Sequence, residues 1–235
     1  MKQWLKIGTA VLLTAVIILG IAIPMVPHPE GWLEFPLIPG LEEKARNIIF
    51  HVPTAWTTVV AFVMAMWYGI QFLRKKDIDY DLRSVASAGI GMMLCVLATV
   101  TGAIWAKFNW GSFWNWDPRE VSIFILLLIY GAYFVLRSAI DEETRRATLS
   151  SVYSIIAGVT VPFFIFIMPR LMPGLHPGSA GDPQGSGPVV QLKMPPNMLI
   201  IFLLSLLGFT ILYFWIYNLK IRLLRIERQL QQQSE

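Results

Sequence analysis

Six long apolar runs, none with a charged side chain, constrain this chain more than any other feature of its sequence. A bilayer core requires roughly 20 apolar residues per helix, and each run comes close to that length. Backbone groups in lipid must be hydrogen-bonded within their own segment, so each run is predicted to be a transmembrane helix. The predicted spans are residues 7–25, 48–73, 84–106, 121–136, 149–168 and 198–219, with a kink at Pro162 in the fifth.

A chain that is 55% apolar and only 14% charged leaves no segment for a soluble domain. The sequence therefore predicts an all-α integral membrane protein, a six-transmembrane-helix bundle that forms a single membrane domain over residues 1–235. Its single cysteine, Cys95, excludes a disulfide framework, a Cys-x-x-Cys redox pair and a covalent haem-attachment motif.

The distribution of basic residues predicts the orientation of the bundle. With both termini in the cytoplasm, the cytoplasmic segments hold 13 of the 19 Lys and Arg residues, as the positive-inside rule requires. The net charge of +4 then reflects topology and contact with anionic headgroups, and it gives no support for nucleic-acid binding. Three segments are placed outside by this topology: a first outer loop, residues 26–47, a tryptophan-rich loop, residues 107–120, and a loop rich in proline and glycine, residues 169–197.

The tryptophan-rich loop contains the stretch WGSFWNWDPRE, which begins at Trp110. An aromatic belt at the headgroups explains scattered tryptophans, but it explains poorly such density in one connector. Indole surfaces beside the cation of Arg119 would suit a planar aromatic ligand that bears carboxylates. The end of the stretch also predicts a helix start, with Asp117 as the cap, Pro118 at the first helical position and Glu120 reaching back as in a capping box.

Two of the three histidines fall on the same predicted outer side as this loop. His51 lies at the outer end of the second span, in HVPTAW, and His176 lies in the proline- and glycine-rich loop. His28, between prolines in the first outer loop, is interpreted as structural. Two neutral imidazoles are a common axial pair for haem iron, whereas zinc would be left short of its usual four ligands. We therefore predict His51 and His176 as iron ligands. Because His176 lies on a loop rich in proline and glycine, its bond to the iron could open to release haem.

The order of three stretches along the chain resembles the CcmC family, haem exporter protein C of cytochrome c maturation. These stretches are HVPTAW, WGSFWNWDPRE and Leu175-His176 in the last outer loop. The resemblance covers nearly the whole chain. It implies a bacterial inner-membrane protein that is not an enzyme and that binds b-type haem, transiently and without a covalent bond, on the periplasmic side. The implied partners are the haem chaperone CcmE, the ABC transporter subunits CcmA and CcmB, and the small subunit CcmD.

The resemblance also implies the site residues. His51 and His176 would be the axial ligands. The haem-binding surface, with the neighbouring residues of the same stretch included, would consist of Trp110, Gly111, Phe113, Trp114, Trp116, Asp117, Pro118, Arg119 and Glu120.

Three alternatives remain at this point. A b-type electron-transfer subunit should place its histidines at mid-membrane depth, where these spans have none. A channel or the permease subunit of a haem ABC transporter usually has ionisable groups inside its spans, and these six spans contain no Asp, Glu, Lys or Arg. The DPRE ending resembles the version of the motif in cytochrome c synthetases such as CcsA, and it keeps open a role in haem ligation shared with CcmF.

Overall fold

The computed structural model describes residues 2–38, 40–176, 179–180 and 194–234. Within these residues it contains six helices long and apolar enough to cross a membrane, which confirms the predicted fold class. The α-helical segments are α1 (Gln3–Ala22), α2 (Ile48–Lys75), α3 (Ile78–Trp110), α4 (Pro118–Ser138), α5 (Glu143–Pro162), α6 (Met168–Leu171) and α7 (Pro196–Ser234), and α5 and α6 belong to one span. A 3-10 turn, Glu42–Asn47, leads into α2, and two short parallel strands, Met25–Val26 and Phe35–Pro36, pair between α1 and α2.

Several helix ends differ from the ends of the apolar runs. Helix α1 stops at Ala22 because Pro24 cannot continue a helical hydrogen-bond ladder. Helix α3 begins at Ile78, where the side chain of Asp77 accepts a hydrogen bond from the backbone N–H of Asp79. It continues through Trp110, so the tryptophan-rich connector is reduced to residues 111–117.

The fifth span changes its helical geometry at Pro162, where a kink was predicted. Proline has no N–H to donate to the preceding turn, and the backbone continues as a π-helical segment, Phe163–Ile167. The short helix α6 completes this span. Most of the predicted proline- and glycine-rich loop, residues 177–178 and 181–193, lies outside the described part of the chain.

Helix α2 lies at the centre of the bundle and packs against α3, α5 and α7. Small residues allow this close packing: a Cβ added at Gly158 of α5 would lie 2.5 Å from the Cβ of Met66 on α2. The core between α2 and α4 is aromatic, and the rings of Phe62 and Tyr130 stack with centroids 3.5 Å apart. Helix α1 packs on α7 at the edge.

We call the end of the bundle that carries residues 111–117 the outer end, after the predicted topology, and the opposite end the inner end. Both described chain ends, the start of α1 and the end of α7, lie at the inner end. Ion pairs join the helices there: Arg137–Asp81 between α4 and α3, Arg225–Asp79 between α7 and α3, and Arg228–Glu143 between α7 and α5. The outer end, by contrast, holds both histidines of the predicted site.

Candidate functional site

His51 lies in the first turn of α2, half-buried against α3. Its Nδ1 atom is 3.0 Å from Oγ1 of Thr101. The next residue on α3 is Gly102, and a Cβ added there would lie 3.0 Å from Cε1 of the imidazole. The absence of a side chain at position 102 therefore lets the ring of His51 rest against the backbone of α3.

His176 is held by Asp117, the residue that caps α4. Its Nδ1 is 2.6 Å from Oδ1 of Asp117, and the backbone N–H groups of Leu175 and His176 donate to Oδ2 at 2.6 and 3.3 Å. The same carboxylate accepts from the backbone N–H of Arg119 at 2.9 Å. One buried side chain thus caps a helix and fixes both the backbone and the ring of a predicted ligand.

The ionisation of Asp117 reflects these contacts. Burial alone would raise the pKa of this carboxyl, but the hydrogen bonds from His176 and from the backbone N–H groups outweigh burial and lower the pKa to about 2. Asp117 is therefore a carboxylate at neutral pH and can accept a hydrogen bond from the imidazole.

Close packing at Gly174 brings the His176 segment onto the start of α4. A Cβ added at Gly174 would lie 2.7 Å from Oδ2 of Asp117 and 2.9 Å from Cδ of Pro118. A side chain at position 174 would have to displace either the Asp117 carboxylate or the Pro118 ring. Glycine is thus required at this position if Leu175 and His176 are to reach Asp117.

Aromatic rings surround His176 on the side of α3. The ring of Trp110 meets the imidazole edge-on, with centroids 4.7 Å apart, and the ring of Trp105 is more nearly parallel to it at 6.2 Å. The Nε1 atom of Trp105 donates to the carbonyl of Lys44 at 3.1 Å, which ties α3 to the 3-10 turn that precedes α2. Two indoles and the carboxylate of Asp117 therefore define where this histidine can lie.

The two remaining tryptophans of the motif, Trp114 and Trp116, form a second group. The ring of Trp114 contacts Trp116 and Phe124 edge-on, at centroid distances of 5.9 and 6.0 Å. Trp116 and Phe113 are exposed to 76% and 57%, so this group presents a broad apolar surface. Trp116 also has a φ of +55°, a left-handed conformation that is unusual for a tryptophan.

The predicted capping box is present at the start of α4. Oε2 of Glu120 accepts from the backbone N–H groups of Asn115 and Asp117 at 2.7 and 3.3 Å. Pro118 occupies the first helical position. Gly111, with a φ of +83°, ends α3 in the left-handed conformation that favours glycine. These residues shape the connector, and the hydrogen bonds of Glu120 hold its backbone.

Several cations lie at the outer end of the bundle. Arg119 lies within electrostatic range of His51 and of Arg170. Lys107 donates to the carbonyl of Gly111 at 2.8 Å. A cavity of about 280 Å³ opens between the 3-10 turn and α3, and its lining includes Thr101, Trp105, Lys44 and Arg46.

The structure thus brings His51, His176, Trp110, Asp117 and Arg119 to one region of the outer end. It places Trp114 and Trp116 in a neighbouring group. The residues that the sequence did not indicate are Thr101, Gly102, Trp105, Lys44, Arg46 and Gly174. Of these, only Trp105 carried a signal in the sequence, as a fourth tryptophan close to the motif.

Together the fold and this region define a multi-pass membrane protein with a histidine pair and an aromatic surface at one end of a six-helix bundle. The family model described as "Heme exporter protein C" matches residues 3–235, and the chain belongs to this CcmC family.

Several similar proteins carry the same name. Heme exporter protein C of Rhodobacter capsulatus is 28% identical over 82% of this chain and 77% of that protein. The proteins of that name in Haemophilus influenzae and Paracoccus denitrificans are 28% and 30% identical. The alignment with the Haemophilus protein covers 92% of this chain and 80% of that protein. The alignment with the Paracoccus protein covers 57% of this chain and 56% of that protein.

Proposed function

We propose that this protein binds haem non-covalently at its outer end, between His51 and His176, and delivers it to a haem chaperone during cytochrome c maturation. Membership of the family supports a haem cargo, because the relatives are named for haem export. The observation that carries the proposal is the contact between Asp117 and His176, since a carboxylate on Nδ1 orients Nε2 of an imidazole for iron.

The surroundings of the two imidazoles suit a porphyrin. Trp105 and Trp110 contact His176, and the exposed rings of Trp116 and Phe113 extend the apolar surface. Such rings would cover the apolar macrocycle and exclude water from its faces. The propionates would require cations, for which Arg119, within electrostatic range of His51, is the leading candidate, and Lys107 and Arg170 are further candidates.

A transfer role agrees with the position of the site. The aromatic surface of residues 113–116 is exposed rather than enclosed, so a partner protein would reach a bound haem from outside the bundle. We propose a CcmE-like chaperone as that partner, with CcmA and CcmB transporter subunits and a CcmD-like small subunit as further members of the assembly.

Haem content of the purified protein tests the proposal. We expect near-stoichiometric haem in the wild type, and at least about tenfold weaker retention in His51→Ala and in His176→Ala. His28→Ala, which alters the third histidine, is the matched control and should retain haem like the wild type. Equal haem content in all four proteins would contradict the proposed ligands.

Co-expression separates delivery from ligation. Haem should appear on the chaperone when it is co-expressed with the wild type, and this amount should fall for either ligand variant. Covalent haem on an apocytochrome in cells that lack the chaperone would instead establish a ligation activity.

A further inference from the structure

The two predicted ligands differ in the group that holds their Nδ1 atoms. Nδ1 of His176 faces a carboxylate, Oδ1 of Asp117, at 2.6 Å. Nδ1 of His51 faces a neutral hydroxyl, Oγ1 of Thr101, at 3.0 Å. The two imidazoles are therefore not chemically equivalent.

The other bonds of Thr101 determine the role of its hydroxyl. Oγ1 lies 2.9 Å from the carbonyl oxygen of Leu97 and 3.2 Å from that of Ala98, both in the preceding turn of α3. A hydroxyl has one proton, and in a membrane helix it commonly donates that proton back to such a carbonyl. With its proton placed there, Oγ1 accepts a hydrogen bond from Nδ1–H of His51. Nε2 of His51 then carries the lone pair that can bind a metal.

The hydrogen-bond partner also affects how strongly each imidazole donates to a metal. A carboxylate on Nδ1–H raises the basicity of a ligating histidine, whereas a neutral hydroxyl raises it less. The backbone N–H groups of Leu175 and His176 are bound to Asp117 as well, so the His176 segment is anchored at three points. These contacts favour His176 as the stronger ligand. The composition of its loop, by contrast, predicted that the bond from His176 to the iron could open.

We infer that Thr101 is a positioning residue that sets the tautomer of His51, with Nε2 free to bind haem iron, and that His51 is the more easily displaced of the two ligands. This inference rests on the proposed haem-binding function. Gly102 supports it, because the missing side chain leaves room for the ring beside Thr101. Haem would therefore begin to leave from the His51 side, while His176 still holds it.

The tautomer is tested on the haem-free protein. Only three histidines need assignment, so ¹⁵N-labelled imidazoles can be followed by NMR in detergent. We expect wild-type His51 in the Nδ1–H form, Thr101→Ser to keep that form, and Thr101→Val to lose it. Thr99→Val is the matched control, because Thr99 likewise bonds a carbonyl one turn back, at 2.8 Å to Cys95. The Nδ1–H form persisting in Thr101→Val would overturn the positioning role.

The unequal ligands are tested on the haem-loaded protein through the rate of haem dissociation to a soluble acceptor. We expect His176→Ala to lose haem about tenfold faster than His51→Ala. Thr101→Val should dissociate faster than Thr101→Ser and Thr99→Val. Equal rates for the two histidine variants, or a faster loss from His51→Ala, would overturn this inference while leaving haem binding intact. Absence of haem from the wild type would overturn the proposed function itself.

Discussion

At the scale of single residues, Asp117 connects the secondary structure of this protein to its candidate site. Its two oxygens cap α4 and bind both the backbone and the ring of His176. The aspartate of the tryptophan-rich motif is therefore needed for a reason beyond helix capping. Capping alone would be satisfied by several residue types, but only an ionised side chain also gives His176 a charged acceptor.

Replacing Asp117 with Asn should separate these two roles. The amide can still cap a helix, but it removes the negative charge next to the imidazole and offers a donor where the backbone N–H groups require an acceptor. We expect haem affinity to fall by about 10- to 100-fold, as measured by titration of the purified protein. Glu142→Gln is the matched control, because Glu142 caps α5 through two backbone N–H groups. An affinity in Asp117→Asn equal to that of the control would show that the charge has no role.

A methyl group at position 174 should push the His176 segment away from α4. The added Cβ would lie 2.7 Å from Oδ2 of Asp117, closer than such atoms approach without a shift. Overpacking of this kind costs about 1–3 kcal/mol, and we expect haem affinity in Gly174→Ala to fall by about tenfold. Gly131→Ala, on α4, is the control because nothing lies within 4 Å of its added Cβ. Unchanged affinity in Gly174→Ala would contradict the described contact.

At the scale of elements, α3 contributes four of the residues that surround the two histidines and is also fixed at its other end. Thr101, Gly102, Trp105 and Trp110 all lie in its last three turns. At the inner end, Arg137 of α4 forms a two-point ion pair with Asp81 of α3, at 2.6 and 2.9 Å. The side chains of this pair are only 12% and 4% exposed.

Breaking this pair should destabilise the bundle without touching the outer end. Arg137→Met leaves the Asp81 carboxylate buried without its partner, which costs about 3–5 kcal/mol. We expect a clearly lower Tm in detergent, and haem affinity close to that of the wild type below that temperature. Arg228→Gln breaks the more exposed pair with Glu143 and should cost less than about 1 kcal/mol. Equal Tm values for the two variants would contradict the role assigned to burial.

At the scale of the whole molecule, the six spans could be predicted because a bilayer core requires uncharged apolar runs of roughly 20 residues, and the chain contains six of them. The start of α4 was also predictable, since Asp117, Pro118 and Glu120 form a local pattern whose hydrogen bonds depend on near neighbours. His51 and His176 were indicated as a pair because the predicted topology places both on the outer side with the tryptophan-rich loop, and the family resemblance implies the same pair.

The contacts that orient the two histidines could not be predicted from the sequence. Thr101 lies 50 positions from His51, and Asp117 lies 59 positions from His176. Threonine and glycine are ordinary in membrane helices, and Gly174 is one of several glycines in its loop, so Thr101, Gly102 and Gly174 carry no local signal. Their importance arises only when helices pack and bring distant residues into contact.

The predicted orientation in the membrane can be tested with single cysteines in a Cys95→Ser background. Ser112 is exposed in the outer connector and Gln233 is exposed near the end of α7. We expect an impermeant maleimide to label Ser112→Cys in intact spheroplasts, and Gln233→Cys only after permeabilisation. The reverse pattern would place the candidate site on the cytoplasmic side.

The electron paramagnetic resonance spectrum of the ferric, haem-loaded protein tests the central claim most directly, because it reports how many imidazoles bind the iron. We expect a low-spin spectrum for the wild type, a high-spin spectrum for His51→Ala and for His176→Ala, and a low-spin spectrum again for His28→Ala. A low-spin spectrum that persists in either of the first two variants would show that the missing histidine is not a ligand.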